Sequence, residues 1–298
     1  MPSHIFTRLG LWQESIESNR ASAAVAKEEA HKTNPGAVSY DALHAMDYMM
    51  YAYLQRAQDL EAKRLLDEIN AIRIVDGENL ASAYAFTAIP ARYALERRRW
   101  ADAASLTPYP SNFPWSRFPQ AEAVTYFARA LGAARSGDAA GARKEIEELQ
   151  FLHDSLVAVK QGYWAEQVEV QRRVAAAWLA RLEGKNQEAL QLMRAAADLE
   201  DSTEKHPVTP GPIMPARELL GELLLELNEP ANALREFEAS QRVEANRFKG
   251  LYGAAKAAER SGNPDSARAL YGQLLAVCNE ADTDRPELLE ARAFLAKK

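Results

Sequence analysis

The stretch Gly262-Asn263-Pro264-Asp265-Ser266-Ala267-Arg268-Ala269-Leu270-Tyr271, which follows small residues at Ala255 and Ala258, decides the fold. Two antiparallel helices that cross closely need small residues where their backbones approach, and Ala267 meets that need. Five residues earlier, Gly262 falls in the connecting turn, where a positive φ is cheap only for Gly or Asn. An apolar stripe follows the anchor. The segment therefore reads as a tight helical hairpin.

The same spacing returns along the whole chain. Anchors fall at Ser15, Ala62, Ala103, Ala142, Ala189, Ala233 and Ala267. The turn positions five residues before them are Gly10, Ala57, Arg98, Gly137, Gly184, Asn228 and Gly262, and five of these seven are Gly or Asn. A single hairpin cannot bury its own apolar face, so repeated hairpins stack into one continuous linear core. This predicts an all-α solenoid of about seven hairpins, forming one domain over 1–298. A helix around Pro286 to Ala296 is expected to close it, with Pro286 in its first turn and Asp284 as its cap.

These residues resemble the tetratricopeptide repeat superfamily over nearly the whole chain. The likeness is specific in Ala177 to Leu190, Gly221 to Phe237 and Ala255 to Tyr271. It is looser in hairpins two and three, where Arg98 replaces the turn Gly and Pro90 interrupts the first helix. The anchor intervals are 47, 41, 39, 47, 44 and 34 residues. Only the last matches the family period of 34, so the others carry longer helices or inserted loops. The string Met1-Pro2-Ser3-His4-Ile5-Phe6-Thr7-Arg8-Leu9-Gly10 is similar to a segment inside larger bacterial repeat proteins of unassigned function. In those relatives further hairpins and another His precede it. By register Met1 falls at about the sixth position of a repeat. The expectation is a truncated first hairpin, in the C-terminal part of a longer protein or one begun at an internal start. Uncovered Ile5, Phe6 and Trp12 then predict homodimer contacts or fraying, because terminal repeats need a polar cap.

The resemblance implies a right-handed superhelix whose first helices line a concave groove at fixed positions. Carried onto this sequence, that register offers His4, Thr7 and Arg8, then His44, Asp47, Tyr51, Leu54 and Gln55, then Arg92 and Glu96. It continues with Phe127, Leu131 and Arg135, with Gln171, Trp178 and Arg181, and with Glu218, Glu222 and Glu226. It ends with Tyr252, Lys256 and Arg260. His44, Asp47 and Tyr51 share one helix face by their spacing. With His4 from the adjacent hairpin, two of the five histidines point at one stretch of groove. Three chemistries fit. His4, His44 and Asp47 suit a transition metal, although no segment brings two ligands at zinc spacing. Arg8 and Arg92 suit the carboxylates of an acidic or polar peptide. The same groups also suit hydrogen bonds between neighbouring helices.

Composition narrows the function. The chain has 298 residues, 47% of them apolar, and a net charge of −6, which argues against nucleic acid. No apolar run approaches the ~20 residues of a membrane span. No basic-then-apolar leader opens the sequence, so a soluble, cytoplasmic chain is expected. With Cys278 alone, no intrachain disulfide forms, and its apolar run marks it as a buried small hydrophobe. The basic run Arg97-Arg98-Arg99 falls where a helix ends, which suits the helix dipole.

Two segments break the helical rhythm. Residues 104–120 and 202–216 together hold eight of the 14 prolines, which neither a continuous helix nor the residue before each Pro tolerates. Tyr109, Phe113, Trp115 and Phe118 make the first too aromatic for a disordered linker. Each loop is expected to be ordered, packed on neighbouring repeats or reaching into the groove with Trp115 or His206. Catalytic motifs are missing: no phosphate loop, no His-Glu-x-x-His, no Gly-x-Ser-x-Gly. Glu166 and Glu169 resemble many solvated glutamates, and His31 and His153 read as surface residues. The leading expectation is a scaffold without cofactor or enzymatic activity that binds a peptide or protein. His4, Arg8, His44, Asp47, Tyr51, Arg92, Trp178 and His206 are its candidate contacts. A small-ligand or metal protein is the alternative, and an enzyme completed by further repeats is a third.

Overall fold

The computed structural model describes residues 2–297, so Met1, from which the truncation register is counted, lies outside them. Fifteen α-helices are present among the described residues, and fourteen form seven hairpins. The pairs are α1 (Pro2–Arg8) with α2 (Trp12–Thr33), α3 (Tyr40–Gln55) with α4 (Asp59–Ala71), and α5 (Leu80–Glu96) with α6 (Trp100–Ala104). Then come α7 (Pro119–Arg135) with α8 (Ala139–Ala158), α9 (Gly162–Leu182) with α10 (Asn186–Asp201), and α11 (Ala216–Glu226) with α12 (Pro230–Val243). The last pair is α13 (Phe248–Arg260) with α14 (Pro264–Val277), followed by α15 (Pro286–Ala296).

The repeat register accounts for these elements. All seven anchors, from Ser15 to Ala267, are fully buried between their two helices. All seven turn residues take positive φ: Gly10 at 66°, Ala57 at 55°, Arg98 at 54°, Gly137 at 87°, Gly184 at 79°, Asn228 at 62° and Gly262 at 76°. The turn geometry therefore persists at Ala57 and Arg98, where a Cβ opposes it by roughly 1–2 kcal/mol. Packing of the hairpin outweighs that local preference.

Three expectations need correction. Pro90 does not interrupt its helix, because α5 runs through it. The α5 helix is held at its start by a reciprocal cap between Asn79 and Ser82 and along its length by burial. Asp284 does not cap α15, whose N-cap position is Arg285 with no side-chain cap. The all-α expectation holds apart from a token pair of three-residue strands, β1 (Ala37–Ser39) and β2 (Ile74–Asp76), which pair in parallel with Val38 opposite Val75. Trp12 is not uncovered either: its indole N–H donates to the Asn246 carbonyl at 2.8 Å and its ring meets Tyr51 edge-on. Ile5 is 60% exposed, as expected for that hairpin.

First helices form the inner layer and second helices the outer one. Helix α3 packs on α5, α5 on α7, and α7 on α9; α11 packs on α13, and α13 returns to α3. The stack thus closes on itself, which the open-groove expectation did not include. Gly10 of the first turn lies so near the Ala245 carbonyl that a Cβ there would approach its oxygen to 2.4 Å. Gln55 at the end of α3 accepts from the Phe248 N–H at 3.0 Å. The Asp282 carboxylate caps α4, accepting from the backbone N–H of Leu60 at 3.0 Å and Glu61 at 3.2 Å. Cys278 is buried at this seam, as expected, and burial pushes its thiol up to about 12.

The two Pro-rich segments have different fates. The first folds back locally: Tyr109 donates to the Ile72 carbonyl at 2.8 Å, and Phe113 packs among Phe86, Trp115 and Phe118. The second turns inward, where α9 and α11 touch only slightly.

Candidate functional site

The inner face holds the predicted groove residues, and they bind one another. Arg92, fully buried, donates from Nε to Asp47 at 3.3 Å. Gln55 donates to Glu96 at 3.2 Å, and Arg247 donates to Glu96 at 2.5 Å and to Glu218 at 2.8 Å. Arg98 meets Glu222 at 2.8 Å and Arg135 meets Glu226 at 2.6 Å. Trp178 is buried under the Arg135 guanidinium, 4.0 Å from its ring centroid. The face that was to receive a partner's charges has matched its own, largely between hairpins far apart in the chain.

Burial dominates the electrostatics here. It pushes Asp47 up to about 6 against the pull of Arg92. It pushes Glu218 up to about 7, again against an arginine, Arg247. Burial opposes ionisation of Glu96 too, but Arg247 and Lys249 overcome it and hold that carboxyl low. Lys249 itself, buried without a hydrogen-bond partner, falls to about 8.

The segment 202–215 occupies what remains of the concave side. Arg8 donates to the Lys205 carbonyl at 3.3 Å, and Tyr48 donates to those of Pro207 and Thr209, both at 3.1 Å. Arg92 donates to the Gly211 carbonyl at 2.8 Å and the Pro212 carbonyl at 2.7 Å. Tyr163 accepts from the His206 N–H at 3.0 Å. Gly211 lies against Tyr51, whose hydroxyl oxygen would stand 2.8 Å from any Cβ there. The inner face reads the backbone of a Pro-rich segment built of turns and bends, and that segment is the chain's own.

His4 and His44 do meet, Nε2 to Nε2 at 3.1 Å, with His4 stacked on Tyr48. Burial and the neighbouring His4 ring lower His44 to about 4, and burial lowers His4 also. Asp47 does not join them, because it is turned to Arg92. Among the described residues no group of three His, Cys, Asp or Glu side chains could hold a metal. The two rings therefore form an edge-on, hydrogen-bonded pair of neutral imidazoles beside the 202–215 segment. An open groove between α2 and α3, lined by Asn19, Val25, Tyr40 and His44, lies next to it.

A cavity of about 230 Å³ lies between the 202–215 segment, α9 and α12. Its wall is aromatic: His206 packs against Trp164 at 4.8 Å and Tyr163 at 5.4 Å between ring centroids. Its floor is apolar, with Phe127, Val168, Val174 and Met214. Polar groups converge on it. Glu200 accepts from the Ala216 N–H at 2.7 Å, and Lys205 pairs with Glu244 at 2.8 Å. Gln171 Oε1 and Ser240 Oγ are buried there without partners. Of the eight contacts proposed from sequence, only His206 lines this cavity. Gln171 and Phe127 were legible as groove positions. Glu200, Tyr163 and Ser240 lie on second helices or outside the register, and no sequence signal marked them.

No protein-family model matches the sequence, and no curated protein matches it. Among solved structures, the fold is similar to a tetratricopeptide repeat protein from Parabacteroides merdae. That match has 12% identity and a TM-score of 0.45, over 99% of this chain and 94% of that one. It is also similar to the APC/C hetero-tetramer Cut9-Hcn1, at 12% identity and a TM-score of 0.38, over 95% of this chain and 52% of that one. The repeated helical-hairpin architecture is read from the hairpins, anchors and turns themselves.

Proposed function

We propose that this helical repeat scaffold binds a small ligand in the cavity beneath the 202–215 segment. The observation that carries the reading is convergence: unpartnered Gln171 and Ser240, and half-buried Glu200, face an apolar floor under an aromatic wall. Ligand sites have this composition, a mostly apolar concavity with a few polar groups that fix orientation. The inner ion pairs hold the surrounding hairpins in place around it. His4, Arg8, His44, Asp47, Tyr51 and Arg92 act on this site as supports for the 202–215 segment.

The test is a thermal-shift and Trp164 fluorescence screen against small organic compounds, using the whole chain and a Val174→Phe variant that fills the floor. Hits that stabilise the parent and not the variant support the reading. A variant that binds every hit as well as the parent refutes it.

A second reading has its own observation. Five inner-face hydrogen bonds go to carbonyls of the Pro-rich segment between Lys205 and Pro212. A partner peptide of the same character fits the groove if it displaces that segment. Replacing 204–212 with a Gly/Ser linker and adding the excised sequence as a labelled peptide tests this. Peptide capture by the replaced chain supports it, and no capture removes it.

A further inference from the structure

Glu200 is an anomaly in a molecule that pairs its buried charges. Asp47 has Arg92, Glu96 and Glu218 share Arg247, and Asp59 has Arg285. Glu200 stands at the cavity wall with no salt bridge among the described residues. Among the described residues its carboxylate accepts one hydrogen bond, from the Ala216 N–H to Oε2, and Oε1 has no protein donor. The charged groups around it make the imbalance worse. Asp201, Glu218 and Glu244 all act against its ionisation. The nearby cations are committed elsewhere: Lys205 to Glu244, and Arg217 to Asp198, Asp201 and Glu236.

From this arrangement, and resting on the cavity reading above, we infer that the ligand is an organic ammonium with an apolar body. Its N–H groups meet Glu200 Oε1 and the amide oxygen of Gln171, both acceptors without a protein donor. Its charge lies against the Tyr163 and Trp164 rings, since an aromatic face attracts a cation, Trp most strongly. Its carbon chain covers Phe127, Val168, Val174 and Met214. An anionic ligand is disfavoured at the same place, because Glu244, Asp201 and Glu218 already surround Glu200 and the nearby cations are paired with other carboxylates. Burial and the neighbouring carboxylates push Glu200 up to about 8, and a bound cation favours its ionised form.

The probe is n-hexylammonium chloride against 1-hexanol, a neutral molecule of the same chain length, titrated into the whole protein at constant ionic strength. Trp164 fluorescence and calorimetry report binding. The expected result is hexylammonium binding at least tenfold tighter than hexanol, with Glu200→Gln removing that preference. The Gln oxygen still accepts from Ala216, so this variant keeps the cap of α11. Gln171→Leu, remote from that cap, is expected to weaken hexylammonium at least threefold and leave hexanol unchanged. Equal affinity for the two probes, or hexylammonium binding unchanged in Glu200→Gln, overturns the cation assignment and leaves the cavity reading standing. Binding of neither probe overturns the assignment as well, and the Val174→Phe screen then decides the cavity reading separately.

Discussion

Asp59 and Arg285, 226 residues apart in the chain, form a bidentate pair with Nη2 to Oδ1 at 2.5 Å and Nε to Oδ2 at 3.1 Å. Both side chains are buried. Thr283 donates to the same carboxylate at 2.7 Å, and Arg97 approaches it at 3.2 Å. Burial opposes ionisation of Asp59, and these donors overcome it and hold its carboxyl below the usual range. The pair fastens the second hairpin to the segment after the seventh.

Removing one partner leaves the other as an uncompensated buried charge. Asp59→Ala is expected to lose ~3–5 kcal/mol of stability. Asp59→Leu combined with Arg285→Met is expected to recover most of it, since apolar replacement of both members is often neutral. Urea unfolding of the two variants checks the cycle. A single variant as stable as the parent shows that the seam does not hold the stack closed.

Two turn glycines separate local strain from closure. Gly184 has φ 79° and open space around a would-be Cβ, whereas Gly10 has φ 66° and the Ala245 backbone in the way. Gly184→Ala is expected to cost only the left-handed backbone term, ~1–2 kcal/mol. Gly10→Ala adds an overpacking term of ~1–3 kcal/mol. Thermal melts of the two variants side by side measure the difference, and equal losses contradict the close approach at Gly10.

The buried anchors give a test of the repeat register. Ala233→Leu and Ala267→Leu each force a larger side chain into a closed helix crossing, at a cost of ~1–3 kcal/mol. Ala269, outside the crossing, serves as the control position. Melting temperatures unchanged at both anchors refute the register.

Acid stability depends on His44. Its ordinary pKa of 6.5 falls to about 4 in the folded chain, so the unfolded chain takes up a proton first as pH drops. Its contribution is present above pH 6.5 and is lost as pH falls toward about 4. The slope is at most ~1.4 kcal/mol per pH unit for one group. His44→Phe retains the packing on Tyr48 and is expected to flatten the stability curve in that window. Parallel curves for parent and variant, measured by chemical unfolding from pH 7 to pH 4, exclude the effect.

The fold was legible because its rules are local. An anchor and a turn residue five apart specify one hairpin, and Ala267 with Gly262 do so without reference to the rest of the chain. The same rule placed Ala57 and Arg98 correctly although neither favours the conformation it adopts. The inner-face register was legible for the same reason, since His44, Asp47 and Tyr51 follow helical periodicity. Closure was not, because Gly10 against Ala245 and Asp282 on Leu60 join segments with no shared pattern. That the 202–216 segment reaches into the groove was among the expectations, but its contacts were not legible: Pro207, Thr209 and Gly211 carry no sign of where their carbonyls point. The cavity was the least visible feature, since Glu200 is distinguished only by the cations it lacks.

An open solenoid lengthens or shortens by duplicating or losing a unit, and each new unit needs only its two neighbours. A ring lacks that freedom. Dropping one hairpin here would pull Asp59 away from Arg285 and Gly10 away from Ala245, and adding one would push them apart. The number of hairpins is therefore a fixed property of this molecule, set by circumference. Diversification within such an architecture proceeds through what is inserted between hairpins, as in the long segment before α11, while the count stays constant.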